Sequence, residues 1–254
     1  MKVTNNKIST IVLVGGQGSR FSNLKEPPKH LTKLNKNLIL NNIMNYIYKS
    51  GFRHFIFPLG FKKNYFIKFF NSKFNQKKYD FEIIKKKFDH KKFDENKKFI
   101  SYFNAGKKTK KITRVFKSIN YTNNKDLLVI YGDDLANVKL DKVNEIYNRN
   151  KRKKVIVTVF KKKSQYGHLK VNAQGKVSKF IEKPPFPYPI NIGFYFINTD
   201  VLKRFYNKAN ELETNFLPSL AKKNLLLSYE HTGYFYSIND KKELLAAKKN
   251  LKNL

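Results

Sequence analysis

The feature that most constrains the chain is a short apolar run, Ile11-Val12-Leu13-Val14, that stops abruptly on Gly15-Gly16-Gln17-Gly18-Ser19-Arg20. An apolar run without alternation reads as a strand buried on both faces, the habit of parallel sheets. Glycines directly after it bring backbone N–H groups close to an anion, because no side chain stands in the way. The turn lacks the Gly-Lys-Ser/Thr ending of a P-loop, and Phe21 stands where a dinucleotide fingerprint needs glycine. Arg20 adds a planar fork of donors suited to phosphate oxygens. Pro27-Pro28-Lys29 then fixes the local backbone and offers a point charge. The turn by itself fits either an anion site or an ordinary tight turn.

The rest of the chain repeats the pattern of strand and helix. From Leu38 apolar residues recur at helical spacing through Ile39, Ile43 and Ile47, with Gly51 as a C-terminal cap. Phe55 to Phe57 reads as a second strand, and Gly60 opens a turn into a helix through Phe66, Phe69 and Phe70. Residues 71–98, with runs such as Lys85-Lys86-Lys87, read as a surface excursion. Leu127 to Tyr131 is a third buried strand, ending in Gly132-Asp133-Asp134. A helix through Val143, Ile146 and Tyr147 and a strand from Val155 to Phe160 follow. This order predicts an α/β fold with a mainly parallel sheet and flanking crossover helices. His168 to Ile181 reads as a hairpin turning at Asn172 to Gly175, and Ile192 to Ile197 as a further strand. A last strand, Tyr234 to Ile238, precedes a helix from Asp240. No repeat or linker divides the chain, so residues 1–254 read as one domain.

Composition narrows the function classes. With 254 residues, 41% of them hydrophobic, the chain can bury a sizeable core. The absence of cysteine excludes disulfides and zinc–thiolate sites. Ile11 to Val14 is far too short for export or membrane crossing, so a soluble cytoplasmic protein without a membrane partner is expected. The formal charge of +35 invites a nucleic-acid reading. The excess, however, is lysine accompanied by Asn, Ile, Phe and Tyr, residues that share A/T-rich codons, and no recognised nucleic-acid module is present. Compositional drift is therefore favoured over a nucleic-acid partner. His30, His168 and His231 show no metal-ligand spacing and read as surface or packing residues.

Taken in order, Leu13 to Arg20, Pro28-Lys29, Tyr131-Gly132-Asp133, Glu182-Lys183-Pro184 and Asn191-Ile192-Gly193 resemble the landmarks of the sugar-phosphate nucleotidyltransferases. The resemblance runs on through Glu213 and Leu217-Pro218 to Gly233-Tyr234-Phe235, nearly the whole chain. It implies a Rossmann-like, mainly parallel sheet of the nucleotide-diphospho-sugar transferase type. It also implies transfer of a nucleotidyl group from a nucleoside triphosphate to a sugar 1-phosphate, often in an oligomer. On this resemblance Gly15, Gly16, Gly18, Ser19 and Gly106 would bind the nucleotide, with Arg20 and Lys29 neutralising the leaving pyrophosphate. Asp133 would hold Mg²⁺. Lys183 would sit on the sugar phosphate, with Glu182, Asn191 and Gly193 reading the sugar.

Within that family Leu59 to Lys62, Asn104-Ala105-Gly106 and Ile112 to Val115 look most like the glucose-1-phosphate cytidylyltransferases, which implies CTP and glucose 1-phosphate. The tail from Gly233 also resembles the guanylyltransferases for mannose or heptose 1-phosphates. Two departures stand out. The family's Thr-Gly-Gly-Arg element appears as Thr109-Lys110-Lys111-Ile112, and its second metal aspartate falls at Ser237 or Asn239 unless Asp240 replaces it. A catalytically weakened homologue that binds nucleotide or sugar phosphate is the corresponding alternative.

Overall fold

The computed structural model describes residues 5, 7–16, 21, 26–91, 94, 96–208 and 210–251. Its strands are β1 Ile8–Leu13, β2 Lys33–Leu34, β3 Asn37–Leu38, β4 His54–Leu59, β5 Glu82–Ile83, β6 Phe99–Asn104 and β7 Asp126–Tyr131. They continue with β8 Asp134–Ala136, β9 Val155–Phe160, β10 His168–Val171, β11 Val177–Ile181, β12 Ile190–Asn198, β13 Leu226–His231 and β14 Phe235–Ser237. The helices are α1 Ile39–Lys49, α2 Lys63–Asn71, α3 Lys73–Tyr79, α4 Lys111–Ser118, α5 Leu140–Arg149, α6 Thr199–Phe205, α7 Leu217–Lys222 and α8 Lys241–Asn250.

Eight strands form the central sheet in the order β13-β9-β12-β7-β1-β4-β6-β5. Every neighbour pair is parallel except those made by β12, which runs against both β7 and β9. The sheet is therefore mixed but mainly parallel, as the sequence predicts. Its central strands are buried from end to end because alternate side chains feed two separate cores. Ile8 and Val12 of β1 join a core with Ile43 and Ile47 of α1, Phe66 and Phe70 of α2 and Val143 of α5. Ile11 and Leu13 point the other way, against Ile112 and Val115 of α4 and Phe216 and Leu220 around α7. Gly51, at φ +95°, ends α1 in the left-handed conformation that glycine adopts at no steric cost.

Residues 71–98 are more than an excursion. They contain α3 and the strand β5, which pairs with β6 at the edge of the sheet, and they bury Phe81, Ile84 and Phe88. Lys85, Lys86 and Lys87 face water while Phe81, Ile84 and Phe88 supply the packing, and Lys98 is buried, donating to the Asn45 side chain at 2.9 Å and the Tyr79 carbonyl at 2.7 Å. The hairpin β10–β11 forms as expected, but every residue of both strands is exposed. Among the described residues no helix is long and apolar enough to cross a membrane.

The topology fixes where chemistry can occur. β1, β4 and β7 are adjacent and parallel, and each ends on a glycine turn, at Gly15, Gly60 and Gly132 respectively. The Gly132 N–H donates to the Leu13 carbonyl at 3.1 Å, so the turns after β1 and β7 are tied side by side. Ligands of open α/β sheets bind at this carboxyl edge.

Candidate functional site

A cleft of about 680 Å³ opens at that edge. Gly15 and Gly16 reach it from β1, Lys29 and His30 from a single 3-10 turn, and Asp133 and Asp134 from the junction of β7 with β8. Lys107 to Lys110 enter from the segment between β6 and α4, Lys111 from the first residue of α4, and Ser237 and Asn239 from the end of β14. The glycine turn and Asp133 therefore meet as the sequence reading expects. Gly18, Ser19 and Arg20 lie outside the described residues.

At the floor, the Lys29 ammonium is 2.5 Å from the Asp133 carboxylate and donates to the Ile238 carbonyl at 2.7 Å. Lys29 is buried, so this pair exchanges little with water and locks the β7 end onto the β14 end. The register does the same: β14 runs antiparallel to β8 with Ser237 directly opposite Asp134, and the Ile238 N–H donates to the Asp133 carbonyl at 3.0 Å. Residues directly opposite on a ladder point to the same face, so the Asp134 carboxyl and Ser237 hydroxyl share it and hydrogen-bond. Burial, and then the charge of Asp133, push the Asp134 carboxyl up to about 7. Among the described residues no lysine or arginine pairs with it directly. His30 is a cleft residue rather than a scattered packing histidine. Burial pushes it down to about 4, so it is neutral at pH 7, and its Nδ1 has no hydrogen-bond partner among the described residues.

One wall is a hydrogen-bonded chain. The Lys111 ammonium and the Tyr131 hydroxyl both donate to the Glu213 carboxylate. Burial pushes Glu213 up, but these bonds and the Lys111 charge hold it below the usual carboxylate range. The Tyr131 hydroxyl also meets that of Tyr195 at 3.2 Å, and the Asn191 amide donates to Tyr195 at 2.5 Å. The β12–β9 ladder is interrupted between Asn191 and Tyr195, where Gly193 takes φ +76°. A Cβ on Gly193 would stand 2.2 Å from the Tyr131 ring, so only glycine lets Tyr131 lie against β12.

The cleft is also basic. Lys107, Lys108, Lys110 and Lys111 border it, with Lys110 3.8 Å from Glu211. Gly106, at φ +96°, starts this loop, and its N–H donates to the Asn104 side chain at 3.2 Å. Behind the loop lies Arg114, 4% exposed.

The sequence-based sugar-phosphate group divides. Asn191 and Gly193 support the cleft wall through Tyr195 and Tyr131. Glu182 and Lys183 are not among the residues bordering the cleft; they sit beyond the exposed strand β11, each more than half exposed, 3.5 Å from one another. They follow a solvent-exposed ribbon, which the linear motif does not reveal. Lys111, Arg114 and His30 had no role assigned from sequence. Arg114 carried one signal: it is one of only six arginines among 53 basic residues.

The nucleotidyl transferase family profile matches residues 9–251, and the chain belongs to that family. It is 30% identical over 248 residues to a probable glucose-1-phosphate cytidylyltransferase of Bacillus subtilis, covering 95% of each chain. It is 25% identical over 235 residues to the glucose-1-phosphate cytidylyltransferase of Salmonella typhimurium, covering 90% of each. In fold it is similar to a putative glucose-1-phosphate thymidylyltransferase from Bacillus anthracis, with a TM-score of 0.68, 16% identity and coverage of 97% of this chain and 96% of that one.

Proposed function

We propose, from membership of that family, that the protein joins CTP to glucose 1-phosphate, forming a nucleoside diphosphate sugar and releasing pyrophosphate. The observation that carries this reading is the meeting of the Gly15–Gly16 turn, the Lys29–Asp133 pair and a four-lysine wall in one cleft. A turn of open N–H groups beside fixed cations is what a triphosphate requires.

In the reaction, a phosphate oxygen of the sugar 1-phosphate attacks the α-phosphorus. The bond from that phosphorus to the oxygen bridging it to the β-phosphate breaks, and pyrophosphate leaves with the electron pair. A phosphate monoester is largely a dianion at pH 7, so no protein base is needed. Catalysis then rests on positioning and charge. Lys29, held by Asp133 and the Ile238 carbonyl, would keep its charge at a fixed point beside the triphosphate. Lys111, aimed by Glu213, would do the same from the wall. His30 stays neutral and supplies shape rather than charge.

The donor set also fits a divalent cation. Asp134 is a buried carboxyl that meets Asp133 and a neutral hydroxyl but, among the described residues, no paired cation, and such oxygen donors suit Mg²⁺. Asp133 would hold the ion, with Asp134, Ser237 and Asn239 alongside. When bound, it supplies positive charge at the reacting phosphate.

The test is a pyrophosphate-release screen of the common nucleoside triphosphates against glucose, mannose and heptose 1-phosphates. Fastest turnover with CTP and glucose 1-phosphate is expected. Faster turnover with GTP and mannose or heptose 1-phosphate would replace the substrate pair, and no release with any pair would leave a binding protein.

A further inference from the structure

We infer that Arg114 is a positioning residue of the cleft: its guanidinium joins the loop 106–109 to the glycine turns after β1 and β4, and so sets where the lysine wall meets a polyphosphate. The inference rests on the nucleotidyl-transfer reading above.

Among the described residues, the hydrogen bonds of Arg114 go to main-chain carbonyls. Its Nε donates to Thr109 at 2.8 Å, Nη1 to Pro58 at 3.0 Å, and Nη2 to Gly106 at 2.8 Å and Lys107 at 3.3 Å. Three of those carbonyls belong to the loop that carries Lys107, Lys108 and Lys110, and the fourth to the end of β4. The terminal nitrogens of the guanidinium also pack against two glycines. A Cβ on Gly15 would stand 2.0 Å from Nη1, and a Cβ on Gly60 would stand 2.5 Å from both terminal nitrogens. Gly15, Gly60 and the loop are thus held at one distance from a single planar group.

The electrostatics point the same way. Arg114 is buried, borders the cleft, and makes no ion pair with a carboxylate among the described residues. Arginine keeps its charge under these conditions, so the carbonyls solvate it without cancelling it. A buried cation without a counterion is costly unless something anionic approaches. A purely structural pin has no reason to leave that charge open at the wall of a cleft. A pin that also prepares the cleft for phosphate does.

The test compares Arg114→Lys, Gly60→Ala and the double variant. Lysine keeps the charge but loses the fork that spans four carbonyls. Gly60→Ala leaves Arg114 in the sequence but must push its guanidinium aside. Two measurements are needed: binding of inorganic tripolyphosphate by calorimetry, and KM and kcat for CTP with glucose 1-phosphate. Each single variant is expected to weaken tripolyphosphate binding and raise the KM for CTP by roughly ten- to a hundredfold, with kcat falling less than about threefold. The double variant should be no worse than Arg114→Lys, because both act on one group. Equal tripolyphosphate binding in the parent and both single variants overturns the inference, even if their melting temperatures fall. If Arg114→Lys does not fold, Gly60→Ala decides alone. A parent that binds tripolyphosphate through Arg114 yet turns over no substrate pair would sink the transferase reading and leave the inference standing.

Discussion

Asp134→Asn removes a carboxyl that the fold keeps 6% exposed, beside Asp133 and opposite Ser237. Its ordinary value of 3.8 is pushed up to about 7, chiefly by burial and then by the Asp133 charge. Because the folded value lies above the unfolded one, the folded chain holds an extra proton between them. Stability from this group is full below about pH 3.8 and falls until about pH 7. At about 1.4 kcal/mol per pH unit the loss amounts to about 4 kcal/mol at neutral pH. Asparagine is similar in shape to the protonated acid and does not titrate. The variant should therefore match the parent near pH 4 and exceed it by up to about 4 kcal/mol near pH 7.5, or about 8–16 °C in melting temperature. The assay is thermal and urea melting of both proteins across that range without divalent cation. Saturating Mg²⁺ should narrow the gap by stabilising the parent more, while the variant turns over more slowly. A variant that is less stable at every pH, or a difference independent of pH, would refute the claim that Asp134 is a strained carboxyl beside Asp133.

Lys29→Ala should lower turnover by about ten- to a thousandfold and cost about 3–5 kcal/mol of stability, because it strips a buried pair of its cation. Lys183→Ala, outside the cleft, should stay within about threefold of the parent in the same pyrophosphate-release assay; a larger loss would bring the β11 end back into the site. His54, hydrogen-bonded to Ser9 and Ser101, is pushed down to about 3 by burial, so only the unfolded chain takes up its proton. That contribution is complete above about pH 6.5 and shrinks on acidification by about 1.4 kcal/mol per pH unit. His30 acts in the same direction and Asp134 in the opposite one, so the acid loss should be steeper in Asp134→Asn than in the parent. A urea midpoint for that variant that stays flat between about pH 6.5 and 4.5 would contradict the account. Ser237→Asp sets a third carboxylate directly opposite Asp134. It should lower the half-saturating Mg²⁺ concentration yet reduce the melting temperature in the absence of the ion, since like charges facing across a ladder repel. An unchanged Mg²⁺ requirement would show that the two positions do not share an ion.

What was legible in the sequence follows from how locally each feature is determined. The strands at the centre of the sheet announced themselves because a run such as Leu127 to Tyr131 is buried on both faces and needs no partner to be recognised. The sequence does not mark β6 and β13, which lie near or at the sheet margins, where polar residues such as Tyr102, Asn104 and Glu230 break the apolar run. The meeting of Gly15 with Asp133 could be foreseen, since adjacent parallel strands deliver their ends to one edge. The place of Glu182 and Lys183 could not, because the direction of an exposed ribbon is not encoded in its alternation.

The same contrast governs the missing second aspartate. Reading along β14 finds Ser237 and Asn239, neither charged, and suggests a weakened site. The fold adds what a linear reading lacks, the partner strand. Across the ladder from Ser237, on the same face, stands Asp134, a buried carboxyl that a reading along β14 does not find. The resemblance gives the metal to Asp133 and leaves Asp134, the next residue after the same glycine, without a role. Register separates them: Asp133 is engaged by Lys29, while Asp134 is turned toward Ser237 with no paired cation among the described residues. The negative charge of the cleft floor therefore cannot be counted from either strand alone. It is shared by Asp133 at the end of β7 and Asp134 on the rung opposite Ser237, and neither lies on β14.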